Sequence, residues 1–208
     1  MWRDEIVERS WMALGELKEL ADFVLIGGWA VYFWSKKLKS RDIDLYIDQD
    51  NFYRLQSALL QRGYAVKRNV RLKKFEALIG DVEVDIYTPF MSNLVIPCLD
   101  VFERKLFSLI KGFKVAIPEV MLLLKAQAAQ QRWHAEKGLK DRVDIISMLK
   151  FVDIRRDLFE QMLGKYDRKN LLREVIKRTM AESRIEYKFL GLMYEKDGVQ
   201  LKKSFDYL

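Results

Sequence analysis

Ser40-Arg41-Asp42-Ile43-Asp44-Leu45-Tyr46-Ile47 places two carboxylates two residues apart inside an apolar run. In an extended strand residues i and i+2 share a face, so Asp42 and Asp44 look one way while Ile43, Leu45 and Ile47 look the other. A rise of about 3.3 Å per residue puts the two Cα atoms roughly 6.5 Å apart. Carboxylates at that spacing repel each other unless a cation lies between them. A hard divalent ion, Mg²⁺ or Mn²⁺, suits such oxygen donors and also holds the phosphates of a nucleotide. The stretch points toward chemistry rather than packing.

Just upstream, Phe23-Val24-Leu25-Ile26 reads as a short apolar strand, Gly27-Gly28 as a turn, and Trp29 to about Lys37 as a helix. A glycine turn entering a helix offers backbone N–H groups to an anion, and the simpler reading is a tight strand-to-helix turn. No Gly-Lys-Ser/Thr follows the pair, which excludes a Walker-type phosphate loop. No third glycine follows at the offset that a dinucleotide fingerprint requires.

Composition narrows the field. The 208 residues are 50% hydrophobic, enough for one compact domain or two small ones sharing a core. Cys98 is the only cysteine and His134 the only histidine, so an internal disulfide and a His-rich zinc site are excluded, and a Ser-His-Asp triad is disfavoured. The longest uncharged stretch with helical or strand character, Phe23 to Ser35, is interrupted by two glycines and falls short of the ~20 residues needed to span a bilayer. Met1-Trp2-Arg3-Asp4-Glu5 lacks a signal-peptide core, and a soluble cytoplasmic protein is expected. The net charge of +7 is unevenly placed. Arg54, Arg62, Lys67, Arg68, Arg71, Lys73 and Lys74 fall in a stretch with no acid. That 54–74 segment reads either as a solvated face or as a platform for a polyanion, RNA or a triphosphate.

The remaining periodicities set the organisation. A helix is expected over Trp2 to Leu20, and another from Phe52 to Arg62 with Asp50 as its N-cap. Strands are expected over Tyr64 to Arg68, Leu72 to Ile79 and Val82 to Tyr87, with a hairpin of Leu106 to Ile110 and Phe113 to Ile117. From Pro118 the pattern is helical: Pro118 to Ala135, Leu139 to Phe151, Arg155 to Lys165, and a pair between Lys169 and Glu195. The tail beyond Asp197-Gly198 is expected to be irregular. This is an α+β chain, with an α/β core over 1–117 and a C-terminal helical domain over 118–208.

Gly27-Gly28-Trp29-Ala30 followed by Ser40-Arg41-Asp42-Ile43-Asp44 resembles the nucleotidyltransferase fold of the DNA polymerase beta superfamily. The form is similar to antibiotic nucleotidyltransferases and to small prokaryotic toxin-type enzymes such as the AbiEii-like group. The resemblance implies a mixed β-sheet core with flanking helices and a third acid on a later strand. Asp85, in Val82-Glu83-Val84-Asp85-Ile86-Tyr87, stands where that acid belongs, with Glu83 on the same strand face as its rival. It implies catalytic and metal-holding roles for Asp42, Asp44 and Asp85, and nucleotide contacts from Gly27, Gly28, Trp29 and Arg41. Lys125, Arg132 and Lys140-Asp141-Arg142-Val143-Asp144 resemble the region after the catalytic core in AbiEii-like proteins. Nucleotide contacts are therefore expected from Lys125, Asp141 and Asp144, the alternative being an interhelical ion-pair cluster.

The activity implied is metal-dependent transfer of a nucleoside monophosphate from a nucleoside triphosphate to an acceptor hydroxyl on RNA, protein or a small molecule, with release of pyrophosphate. Two other classes compete. One is a catalytically silent module of the same fold, binding RNA or a partner protein in a toxin–antitoxin manner. The other is a metal-dependent nuclease or glycosyltransferase, in which the glycine turn has no explanation.

Overall fold

The computed structural model describes residues 4–208, so Trp2 and Arg3 of the expected first helix lie outside the described residues. The chain divides into two compact units, Met1–Ile117 and Pro118–Leu208.

The first unit is built on one seven-stranded mixed sheet. Its elements run α1 (Asp4–Leu20), β1 (Val24–Ile26), α2 (Gly27–Ser35), β2 (Ile43–Tyr46), α3 (Gln49–Gln61), β3 (Val66–Asn69), β4 (Lys74–Ile79), β5 (Val82–Tyr87), α4 (Cys98–Glu103), β6 (Phe107–Ile110) and β7 (Phe113–Ala116). The strand order is β3-β4-β5-β2-β1-β7-β6. The β2–β5 and β1–β7 pairs are parallel and the others antiparallel, which makes the sheet mixed as expected.

Alternation along the strands gives the sheet two unlike faces. Leu25 of β1, Ile43 and Leu45 of β2, Ala77 and Ile79 of β4, and Val84 and Ile86 of β5 form the buried face. Phe75 of β4 joins them, stacking on Phe52 of α3 with ring centroids 4.4 Å apart. The opposite face carries Asp44, Glu76, Glu83 and Asp85. Part of it is covered near Tyr46, which is fully buried and donates its hydroxyl to the Ile96 carbonyl at 2.7 Å.

Three local expectations change. Asp48, not Asp50, caps α3: its carboxylate accepts from the Asn51 N–H at 2.9 Å. Either aspartate satisfies the sequence rule for a cap, and only the chain's exit from β2 selects the earlier one. Helix α2 begins at Gly27, so the glycine pair is its first turn rather than a separate loop. The Cys98–Glu103 helix has too few residues to show a period, and was not foreseen.

The second unit is helical: α5 (Pro118–Gln131), α6 (Glu136–Phe151), α7 (Arg156–Tyr166), α8 (Leu171–Glu182), α9 (Ile185–Phe189), a π-helical turn (Tyr194–Gly198) and α10 (Val199–Ser204). The tail is therefore ordered into a turn and a helix, contrary to the irregular segment expected. Leu201 supplies the reason, since it is 3% exposed and gives a short helix an apolar anchor that composition alone hides. Among the described residues no helix is long and apolar enough to cross a membrane.

Candidate active site

The carboxylate face is assembled by strand register. Asp44 of β2 lies opposite Asp85 of the parallel strand β5, and Asp85 lies opposite Glu76 of β4, which lies opposite Lys67 of the edge strand β3. Directly opposed residues share a sheet face, with neighbouring strands about 4.8 Å apart. Lys67, Glu76, Asp85 and Asp44 therefore form one polar row across four strands. Asp42 lies in the bend just before β2 rather than in the strand, so the extended parity expected for it does not apply, yet it is close enough for its charge to act on Asp85. Arg41 donates from Nε to Asp42 Oδ1 at 3.0 Å.

Gly27 closes the other side of Asp44. Ile26 pairs with Asp44 across the antiparallel β1–β2 ladder, and the chain then turns into α2 with Gly27 at φ +67°. A Cβ built on Gly27 would stand 1.9 Å from Asp44 Oδ2. The position excludes a side chain twice, by its left-handed backbone and by the aspartate pressed against it. The first turn of α2 has no side-chain cap, since Ile26 precedes it, so its N–H groups begin beside the Asp44 carboxylate.

Asp85 is set by opposing influences. Burial is the largest influence and raises its carboxyl above the usual carboxylate range, with the charges of Glu76 and Asp42 adding to the rise. Lys74 pulls the other way through a 2.5 Å hydrogen bond and its charge. The same ammonium lies 3.0 Å from Glu76 Oε1, and Asn69 donates to that oxygen at 2.9 Å. Burial opposes the charge on Lys74, but the two carboxylates outweigh it and hold its pKa above the usual lysine value.

Asp42, Asp44 and Asp85 would offer the oxygen donors that a hard divalent ion prefers. Among the described residues no group of three or more acidic, histidine or cysteine side chains is arranged to hold a metal ion as it stands.

The other expected residues are placed as follows. Trp29 is 1% exposed, donates to Ser10 Oγ at 2.8 Å and packs against Trp11, so its ring belongs to the core of the first unit. Glu83 is exposed on the same face as Asp85. The basic 54–74 segment does not form a single surface. Arg54 sits on α3, Arg62 in the turn that follows it, Lys67 and Arg68 on the edge strand, and Arg71 and Lys73 in the β3–β4 turn, while Lys74 is buried beside Asp85. In the second unit Lys125 lies 3.1 Å from Asp141 and 2.7 Å from Asp144. Arg132 reaches Asp141 at 2.7 Å and Lys140 reaches Asp144 at 2.9 Å. These residues join into an ion-pair cluster between α5 and α6.

Glu76 and Asn69 are site neighbours that the sequence does not single out, and Lys74 reads there only as one cation of the basic 54–74 segment. The signal was present in the alternation of Lys74, Glu76 and Leu78 against Phe75, Ala77 and Ile79. It was hidden because Lys74 ends a run of six other cations that reads as solvated surface.

A family model described as aminoglycoside-2''-adenylyltransferase matches residues 14–92, the segment that carries Gly27, Asp42, Asp44 and Asp85. No curated protein matches the sequence. Among solved structures, the solution structure of the antibiotic-resistance factor ANT(2'')-Ia superposes with a TM-score of 0.50 at 16% identity, covering 82% of this chain and 94% of that one. A crystal structure of ANT(2'')-Ia in complex with adenylyl-2''-tobramycin gives 0.48 at 14% identity, covering 80% and 99%. An antigenic nucleotidyltransferase-like protein from Paracoccidioides brasiliensis gives 0.46 at 18%, covering 84% and 93%.

Proposed function

We propose that this chain, a nucleotidyltransferase by its fold and by the family match over residues 14–92, transfers a nucleoside monophosphate from a nucleoside triphosphate to an acceptor hydroxyl with the help of Mg²⁺ or Mn²⁺. The observation that carries this reading is the register of Asp44 with Asp85, on the face where Gly27 abuts Asp44. Asp42 and Asp44 would hold one ion, and Asp85 would share a second. The ions' chemistry is charge neutralisation of the triphosphate and a lowered pKa of the acceptor hydroxyl.

The chain's own residues then divide the work. The N–H groups of Gly27 and Gly28, at the uncapped start of α2, bind phosphate oxygens. Arg41, already against Asp42, adds positive charge beside the phosphates. Asp85 accepts the proton of the acceptor hydroxyl. The hydroxyl oxygen forms its bond to the α-phosphorus, the bond between that phosphorus and the bridging oxygen breaks, and pyrophosphate leaves. Lys125, Asp141 and Asp144 take no step in this reading.

The test is a label-transfer assay. The protein is incubated with Mg²⁺ and each labelled triphosphate (ATP, CTP, GTP, UTP), against a total cell extract, an RNA fraction, a protein fraction and an aminoglycoside. The aminoglycoside is included because the matched family is described by that acceptor. Label should appear in one acceptor class with one pyrophosphate released per transfer. Release of free nucleotides or of a nucleoside diphosphate would instead show nuclease or glycosyltransferase chemistry. Binding of RNA or protein with no label transferred would show a silent module.

A further inference from the structure

Lys74 is 9% exposed, an uncommon position for an ammonium, and two carboxylates account for it. Its Nζ contacts Asp85 Oδ2 at 2.5 Å and Glu76 Oε1 at 3.0 Å. Glu76 is steadied in turn by Asn69 at 2.9 Å, and Lys67 stands opposite it on the edge strand. The lysine thus reaches Asp85 from the outer strands, while Asp44 approaches from the inner one and Asp42 from the bend before it. Asp85 sits between a fixed positive charge and two fixed negative ones. A metal ion drawn to the three aspartates finds part of the Asp85 charge already neutralised.

We propose that Lys74 is a positioning residue that serves as the resident cation of the carboxylate face. It holds Asp85 in line with Asp44 between turnovers and lowers the face's affinity for a bare divalent ion. The ion then binds tightly only with a triphosphate, whose added negative charge restores the attraction. The inference rests on the reading of Asp42, Asp44 and Asp85 as the metal-holding set. Glu76 gives the ammonium a second anchor, so it keeps a partner when Asp85 turns to an ion, and the flexible lysine stem allows that small movement.

The experiment measures Mn²⁺ binding without nucleotide, by the loss of the free-ion electron paramagnetic resonance signal. Lys74→Met should bind Mn²⁺ about tenfold more tightly than the unaltered protein, as removal of one contacting charge from a ligand carboxylate requires. Lys74→Arg should stay within about twofold, because the charge is kept. Asp85→Asn should bind about tenfold more weakly, and adding Lys74→Met to it should change nothing further. Equal or weaker Mn²⁺ binding by Lys74→Met, with Asp85→Asn weakened as expected, overturns the role of Lys74 and leaves the site reading standing. Unchanged Mn²⁺ binding by Asp85→Asn overturns the site reading itself. Should Lys74→Met fail to fold, the unaltered protein decides. Its Lys74 side-chain nitrogen resonance should move on Mg²⁺ saturation, and a resonance that does not move overturns the proposal.

Discussion

Asp141 and Asp144 of the second unit and Asp42, Asp44 and Asp85 of the first are clusters of the same residue type placed under opposite conditions. The side chains of Asp141 and Asp144 are 1% and 0% exposed, and Lys125, Arg132 and Lys140 supply three cations to two carboxylates. On the sheet face, Asp42, Asp44, Glu76, Glu83 and Asp85 lie with Arg41, Lys67 and Lys74, and the Asp85 side chain keeps 20% of its surface open. A buried carboxylate set that meets enough cations has the charge balance of a brace. A half-open carboxylate set leaves room for a cation from solution, the part the proposed function gives it. Exposure separates the two clusters where residue type does not.

The comparison breaks or sharpens through substitution. Asp44→Asn should lower label transfer about a thousandfold, or about 4 kcal/mol of barrier, and leave unfolding in urea unchanged or slightly more resistant because repulsion is relieved. Lys125→Met should do the reverse in character, costing up to about 3–5 kcal/mol of stability by removing the ammonium shared by two buried carboxylates, which then keep Arg132 and Lys140. A Lys125→Met protein with unaltered urea resistance would remove the brace from the comparison. Gly27→Ala should cost about 1–3 kcal/mol through its left-handed backbone and should also lower transfer, because its methyl group displaces Asp44.

A smaller effect is expected on acidification. Burial is the largest influence on Asp141 and raises its pKa, but the charge of Lys125 and the hydrogen bond and charge of Arg132 together hold it below the usual carboxylate value. A carboxyl with a depressed folded pKa contributes stability that is complete above its unfolded pKa of about 3.9 and is lost as pH falls through the folded value. Unfolding followed from pH 6 downward should therefore lose stability in the acid limb, and Asp141→Asn should flatten that limb. The smallest change belongs to Glu83→Gln. This side chain is exposed on the open face, and substitution should alter stability by less than about 0.5 kcal/mol and transfer by less than about threefold. A loss comparable to that of Asp44→Asn would move the third acid from Asp85 to Glu83.

Much of the fold was legible because its signals are local. Period-two alternation in Val82 to Tyr87 and period-3.6 spacing after Pro118 report burial within a few residues, and those strands and helices stand close to where they were expected. The Cys98–Glu103 and Val199–Ser204 helices were not legible, since six residues span less than two turns and their buried anchors are few, Cys98 and Val101 in one and Leu201 in the other. At the candidate site, Asp44 takes the polar face that strand alternation predicts, while Asp42 lies in the bend before β2, where alternation no longer applies. Lys74 was misread as surface because nothing local distinguishes a buried lysine from its exposed neighbours.

What the amino-acid order determined is what one strand or one turn can enforce: the polar side for Asp44, and glycines at the start of a helix. What only the tertiary structure decided is the partner of each group, namely that Asp85 faces Asp44, that Gly27 is barred from a side chain by Asp44, and that Lys74 reaches Asp85 while Lys125 reaches Asp141 and Asp144. Parity is a property of the backbone repeat and needs no neighbour. Register and charge pairing are set by hydrogen bonds and contacts between segments distant in sequence, and these exist only once the chain has folded.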